Sequence, residues 1–495
     1  MSDDRESRGP GEERPAAPGR RKDRPGLVLL TSHWLSRTGL VIVITAISTW
    51  LFVFPAEIRE HVENPYKGAV VYLILPLVLL AGIVLTLTGI ALGRRRIRER
   101  LATEVADRKR TFQRLIVFLA VTIGVNLVAG SQLTYRAVKY MDTPQFCGQT
   151  CHVMRPEFVG HRGSNHASVT CAECHVEPGA AGWFESKMNG TRQLWQTLTG
   201  SYSRPVPAAL ESGHLVPSRE TCERCHWAEK IVATRLIVLP VFAADERNSE
   251  SYTVLMMLVG GSHMKGIHHA HFAGGFEIRY ASDRKRETIP WVEWRNVRTG
   301  ETTTYLAAGT TPAQFADLEK YSMQCVDCHD RPTHAYDLPD RALNRSLALG
   351  QIPATLPFIK KEGLAVLKAA YSSGADASRR IPAAIEAYYE QAYPQVYAER
   401  KADIEAAGRA ILAAYERNVF PDLNVTWGTY GNSLGHTDFP GCFRCHDGSH
   451  TTADGKKTIT QDCGACHEVL AHEETSPEIL KTLGVWDHLT ALKSR

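Results

Sequence analysis

All twelve cysteines of this 495-residue chain fall into six close pairs, and a histidine follows each pair at once. The pairs are Cys147/Cys151 with His152, Cys171/Cys174 with His175, Cys222/Cys225 with His226, Cys325/Cys328 with His329, Cys442/Cys445 with His446, and Cys463/Cys466 with His467. No cysteine is left over for a disulfide, and a chain of this length can bury a core without one. Thiols at i and i+3 suit addition to the two vinyl groups of a haem, with the adjacent histidine as proximal iron ligand. Zinc is the alternative for any single pair. The recurrence of histidine at one offset after every pair favours haem c, with six haems expected and five at the least. The lower figure reflects the first motif, CGQTCH, which has three residues between its cysteines and so a longer loop between the thiols. Met154, two residues past His152, is placed to take the iron instead of that histidine or opposite it. A methionine ligand raises a haem's potential.

Residues 1–26 are rich in charge, Pro and Gly, which predicts a disordered cytoplasmic tail. Three apolar runs follow, Gly39 to Phe54, Gly68 to Leu92 and Leu115 to Gly130, each able with its flanks to reach the ~20 residues a bilayer span needs. They predict a three-helix membrane anchor over 27–132. The basic segment 93–114, with Arg94, Arg95, Arg96 and Lys109 among its cations, is then a cytoplasmic loop, because Lys and Arg stay inside. Everything after about Gly130 falls outside, which predicts a multi-pass protein of the cytoplasmic (inner) membrane with its haem domain in the periplasm. No cleavable signal peptide is evident, so the spans themselves direct export. A formal net charge of +4 with cations concentrated near the N-terminus gives no nucleic-acid footprint.

The fold class read from these patterns is mixed. Three N-terminal transmembrane helices precede an exported multihaem domain with little regular structure, a small antiparallel β insert and C-terminal helices. Residues 133–230 carry three motifs, 231–312 form the β-rich insert, and 313–495 form a helical region with three more motifs. In the insert, TVLMMLV, FEIRYAS, TIPWVEW and TTTYLAA read as strands. Residues 313–322 and most of 358–418 have helical periodicity.

A haem that only carries electrons needs a sixth ligand, and twelve histidines of the exported part lie outside the motifs. His334 and His450 follow motifs closely, and His166 and His436 precede others, so these four are the leading distal candidates. The run SHMKGIHHAH offers His263, His268, His269 and His271, of which one or two are expected to bind iron, with His271 the nominated one.

The segments TPQFCGQTCHVM, SNHASVTCAECH and ETCERCHW, placed directly after an apolar span, resemble the NapC/NirT family of membrane-anchored quinol dehydrogenases over residues 110–230. The remainder, with CVDCHDRPTH and PGCFRCHDGSH, resembles the larger inner-membrane multihaem cytochromes of metal-respiring bacteria that carry such a front end. The resemblance implies oxidation of a membrane quinol, with menaquinol the expected one. It also implies a first haem acting as electron entry, Met154 as the family's methionine ligand, and His166 as ligand of a different haem. The family's quinol pocket, which uses a lysine and an acidic residue, maps to Lys187 and Asn189 in FESKMNG, and an asparagine cannot serve as a base. The expected acceptor is a periplasmic cytochrome or reductase in anaerobic respiration. The alternative function is a membrane-anchored terminal reductase of a small nitrogen or sulfur oxyanion, and a zinc-rich exported scaffold is a third. Replacing Met154 with Ala is expected to lower the potential of one haem and slow quinol oxidation while sparing bulk haem content. Potentiometric titration checks this, and an unchanged curve removes Met154 from the ligand set.

Overall fold

The computed structural model describes residues 33–59, 74–101, 108–141, 143–150, 152–177, 180–212, 216–227, 234–261, 264–273 and 275–493. The 1–26 tail and His263 lie outside them. The chain divides into two compact units, one ending at Ala137 and the other running from Val138 to Arg495, with 61–66 grouped with the second.

The first unit is helical. Helix α1 spans Trp34–Arg59, α2 Leu75–Leu101 and α3 Arg108–Val125, and a π turn at Asn126–Gly130 joins α3 to α4, Ser131–Met141. Long apolar runs without internal breakers drive these helices. Leu75–Gly93 and Leu115–Leu133 are each 19 residues long and apolar enough to cross a membrane, whereas the apolar part of α1, Trp34–Trp50, is shorter. Glycines let α1 and α2 approach closely: a Cβ on Gly39 would lie 2.4 Å from the Thr86 nitrogen, and one on Gly89 would lie 2.2 Å from the Ser36 nitrogen. Small residues at a helix interface permit such backbone contact.

The second unit begins with short helices around the first three motifs: α5 (Arg155–Arg162), α6 (Cys171–His175), α7 (Ala180–Thr199) and α8 (Ser218–Cys222). Two antiparallel sheets follow. The three-stranded one has order β1-β2-β7, from Arg235–Phe242, Glu250–Met257 and His467–Glu474. The four-stranded one has order β5-β4-β3-β6, from Thr302–Leu306, Trp291–Asn296, Phe276–Ser282 and Glu319–Ser322. The four predicted strands are present, and β1 joins them. Two strands arise beyond residue 312, so both sheets are completed by chain from the C-terminal part. The helix expected over 313–322 is corrected: only Pro312–Phe315 is helical, and Glu319–Ser322 pairs with β3 as an edge strand. Cross-strand pairing with Tyr280 and Arg279 overrides the local periodicity there.

The helical periodicity of 358–418 is realised. Helices α9 (Pro339–Ala348), α10 (Ile359–Lys368), α11 (Gly374–Ala392) and α12 (Lys401–Asn418) enclose a core of Leu343, Leu347, Ile359, Leu367, Ile381, Ile385, Tyr389, Ile404 and Ile411. These apolar positions recur at helical spacing and bury one stripe of each helix. Asn248, in the turn from β1 to β2, ties the first sheet to this core: its Nδ2 donates to the Leu356 carbonyl at 2.8 Å, and its Oδ1 accepts from the Lys360 nitrogen at 2.9 Å. Ile385 is 0% exposed, so Ile385→Ala is expected to cost about 2–5 kcal/mol through lost burial and the cavity left behind. Denaturant titration of the purified protein checks this, and a change below about 1 kcal/mol would mean the core collapses around the gap.

Candidate haem centres

Each motif begins as one tight turn. In the third, fourth and fifth motifs the histidine nitrogen donates to the carbonyl of the first cysteine, at 2.8 Å for His226 to Cys222, 2.8 Å for His329 to Cys325 and 3.0 Å for His446 to Cys442. One turn thus brings two thiols and an imidazole together, which is what i, i+3, i+4 spacing on a helical turn provides. Local caps nucleate the turns. Thr170 and Glu173 form a capping box at the second motif, Gln324 and Asp327 do so at the fourth, and Asp462 accepts from the Gly464 nitrogen at 3.0 Å in the sixth. The extra residue of the first motif is taken up by a π turn, Phe146–Thr150, which is wider than an α-turn. Gly148 is required in it, because a Cβ there would lie 2.2 Å from that of Phe158.

The cysteines expected to carry haem are not equally enclosed by the protein. Cys225, Cys442 and Cys463 are exposed, whereas Cys147, Cys171, Cys174, Cys222, Cys325, Cys328, Cys445 and Cys466 are half-buried. Glu223, Arg224 and His226 around Cys225 are exposed as well, as are Asp462, Gly464 and Ala465 around Cys463. The Cys225 nitrogen donates to the Cys222 carbonyl at 3.1 Å, so the pair keeps its i, i+3 turn.

Five motif histidines each face a second imidazole brought from elsewhere. Ring centres are 6.2 Å apart for His175 and His334, 6.0 Å for His226 and His166, 6.2 Å for His329 and His268, 5.9 Å for His446 and His271, and 6.2 Å for His467 and His436. Two imidazoles on opposite sides of one metal have centres about 6 Å apart, given metal–nitrogen bonds of about 2 Å. Direct stacking is closer, as the 4.2 Å between His436 and Phe443 shows. The residues therefore fit a haem iron held between two histidines.

Backbone carbonyls orient several of these rings. Nδ1–H of His334 donates to Glu157 O at 2.8 Å, that of His271 to Ile267 O at 2.7 Å, and that of His446 to Thr460 O at 2.6 Å. Such bonds fix the tautomer and leave the Nε2 lone pair for a metal. Burial pushes the His334 imidazole down to about 4 and lowers those of His268 and His271, so all three are neutral, ligand-competent rings at pH 7.

The structure gives His450 another job than the distal ligation expected of it. It is 1% exposed, with Nδ1 held by Asp447 at 2.9 Å and Nε2 by the Ile289 carbonyl at 2.8 Å, so both ring nitrogens are occupied. It ties the fifth motif to the four-stranded sheet, where Thr451 and Leu306 exchange backbone bonds of 2.9 Å. The ring facing His446 is His271 instead. His268, which sequence reasoning left among four neighbours, faces His329.

At the first motif, Met154 closes the short helix His152–Met154 and is half-buried, while Cys151 and the side chain of His152 lie outside the described residues. Lys187 and Asn189 both sit on α7. They lie two residues apart, so their backbone positions fall on different faces of that helix, and the side chain of Lys187 lies outside the described residues.

Neighbouring motifs interlock. The Cys147 and Cys171 sulfurs lie beside one another, as do those of Cys222 and Cys325. The Ser218 nitrogen donates to Gln324 Oε1 at 2.9 Å, joining the third motif to the fourth. Arg444, inside the fifth motif, donates to the Asp327 carbonyl in the fourth and at 2.6 Å to the Arg286 carbonyl, while the Asp327 carboxylate is clasped by Tyr280 and Arg286. The Leu258 nitrogen, just past β2, donates to Cys466 O at 2.8 Å, and Met257 pairs with His467, so β2 positions the sixth motif.

Turns that present two thiols and a histidine, five of them facing a second imidazole, define a multihaem c-type cytochrome. Residues 107–235 match the NapC/NirT cytochrome c family, N-terminal region. The chain is 35% identical over 463 residues to the cytochrome c-type protein ImcH of Geobacter sulfurreducens, covering 90% of this chain and 89% of that protein. It is 30% identical over 112 residues to the cytochrome c nitrite reductase subunit NrfH of Nitratidesulfovibrio vulgaris, covering 22% of this chain and 67% of NrfH. No solved structure matches it. The chain belongs to the NapC/NirT cytochrome c family of membrane electron-transport proteins, which bind haem c covalently.

Ring orientation yields a spectroscopic prediction. The planes of His268 and His329 lie 7° apart, and those of His166 and His226 lie 69° apart. Near-parallel imidazoles give an ordinary rhombic low-spin ferric signal, whereas steeply crossed ones give a strongly anisotropic one. Low-temperature EPR of the oxidised protein is expected to show both types, and a high-spin signal for most of the haem would contradict the paired geometry.

Proposed function

We propose that the chain is an inner-membrane multihaem cytochrome that oxidises a membrane quinol, expected to be menaquinol, and passes the electrons to a periplasmic cytochrome or reductase. Three spans anchor it, with the 93–114 loop cytoplasmic and the motif-bearing part, 133–230 and onward through 231–312 and 313–495, in the periplasm. The reading assigns six haems, attached through the twelve cysteines, the exposed Cys225 included, and ligated by His152, His175, His226, His329, His446 and His467. Met154 serves the first haem. His334, His166, His271 and His436 are assigned as distal ligands to the second, third, fifth and sixth. When bound, haem c supplies one-electron redox chemistry at each motif.

The observation that carries this reading is the pairing of motif histidines with second imidazoles about 6 Å away. An iron held between the two imidazoles of a pair would have no open position for a substrate, so the arrangement favours electron transfer over reduction of a nitrogen or sulfur oxyanion. The contacts between neighbouring motifs support transfer from one site to the next, and the likeness to ImcH and NrfH supports a quinol-linked role. A quinol is confined to the bilayer, so its two electrons leave through a site at the membrane face and its two protons are released on the outer side. Lys187 is proposed to hold a quinol oxygen. Asn189, two residues further along α7, would offer a hydrogen bond but no base.

Anaerobic mixing of detergent-purified protein with a menaquinol analogue tests the reading, with haem absorbance calibrated against dithionite. Rapid reduction of a large fraction of the haem is expected. Lys187→Ala is expected to slow it roughly ten- to hundredfold, corresponding to the about 1.5–3 kcal/mol of a charged hydrogen bond, without changing the dithionite endpoint. Protein that quinol leaves oxidised while a soluble donor reduces every haem would refute quinol oxidation.

A further inference from the structure

We propose that the single turn following β2 ligates two haems at once, with His268 as sixth ligand to the haem on Cys325/Cys328 and His271 as sixth ligand to the haem on Cys442/Cys445. His268 faces His329 with ring centres 6.2 Å apart and planes 7° apart, the geometry of two imidazoles on one iron. His271, three residues on, faces a different partner, His446, at 5.9 Å. In an α-helix, residues i and i+3 lie on one face. Here His269–Ala273 is a π turn, whose wider winding turns the two rings away from one another toward separate motifs.

The rest of the segment holds both rings in place. The Ile267 and His268 nitrogens donate to the Leu258 and Val259 carbonyls, each at 2.9 Å, so the turn folds back on the end of β2. Leu258 in turn donates to Cys466, which anchors the turn beside the sixth motif. His269, the histidine between the two ligands, is used inside the turn: its Nδ1–H donates to the Gly261 carbonyl at 3.1 Å. Nδ1–H of His271 donates to the Ile267 carbonyl, leaving Nε2 for iron. Gly260 has φ +65°, and a Cβ on Gly266 would lie 2.5 Å from the Leu258 carbonyl oxygen, so the doubled-back path needs glycine at both positions. The fourth and fifth haems therefore share one mechanical support, and displacing the turn alters both.

The inference rests on haem occupancy of the fourth and fifth motifs and not on quinol oxidation, so its test uses dithionite and no quinol. In full-length purified protein, His268→Ala and His271→Ala are each expected to open one ferrous haem to carbon monoxide. The double variant opens two. Gly266→Ala is also expected to open two, although both histidines remain. His268→Met keeps six ligands and is expected to raise the potential of one haem while leaving carbon monoxide binding at the wild-type level. If His268→Ala accumulates without newly reactive haem, or the His268→Met titration superimposes on wild type, the assignment of His268 is overturned. If Gly266→Ala opens one haem or none, the shared support is overturned. Should the alanine variants not accumulate, the His268→Met titration decides alone. Mass spectrometry showing the fourth and fifth motifs bare in the wild type would overturn the haem reading together with the inference.

Discussion

Two imidazoles held about 6 Å apart across a shared axis, one beside a pair of cysteines and one from a distant stretch of chain, are the constraint around which the second unit is arranged. Each such pair joins segments that secondary structure alone would leave apart. His166 lies in the link between the first two motifs and meets His226. His334 lies just past the fourth motif and meets His175, its Nδ1–H anchored on Glu157 in α5. His436 precedes the fifth motif and meets His467, the first residue of β7. The chain is thus laced by these histidine pairs as much as by its core, which fits a unit whose motif-bearing parts contain little extended regular structure.

The regular elements serve as a frame for these ligands. The four-helix core from Pro339 to Asn418 holds the largest cluster of buried apolar side chains among the described residues and contains no motif. The two sheets convert that rigidity into placement. The first reaches the helical core through Asn248, and β2 fixes both the sixth motif and the turn that carries His268 and His271. The second sheet feeds from β6 directly into the fourth motif, where Tyr280 and Arg286 clasp Asp327 between Cys325 and Cys328. Arg444 then ties the fifth motif to the fourth. A buried carboxylate paired in this way is costly to leave unpartnered, so the cluster holds the two motifs in one relation.

His450 shows why sequence proximity is a weak guide to ligation. It follows the fifth motif by four residues, yet both its ring nitrogens are engaged by Asp447 and Ile289. Each ring nitrogen faces a protein oxygen, so neither is directed at an iron. His268 is the converse case: nothing in SHMKGIHHAH separates it from its neighbours, and only the fold of the turn brings it to His329. The strand Glu319–Ser322 was hidden for a related reason, since its partner β3 lies some forty residues earlier and the short stretch reads locally as helix.

The sequence by itself determined the cytochrome c class, the six cysteine pairs with their adjacent histidines, the apolar runs and the helical C-terminal core. Those signals are local: thiol and imidazole must lie within one turn, and a helix advertises its buried stripe every three or four residues. The tertiary structure alone decided which distant histidine answers which motif, that His450 packs against Asp447 and Ile289, and that two sheets are closed by strands from far along the chain. Those outcomes depend on long-range backbone pairing, on what packs over each turn and on where each ring nitrogen's lone pair ends up, and none of these has a period or a spacing that a linear sequence can display.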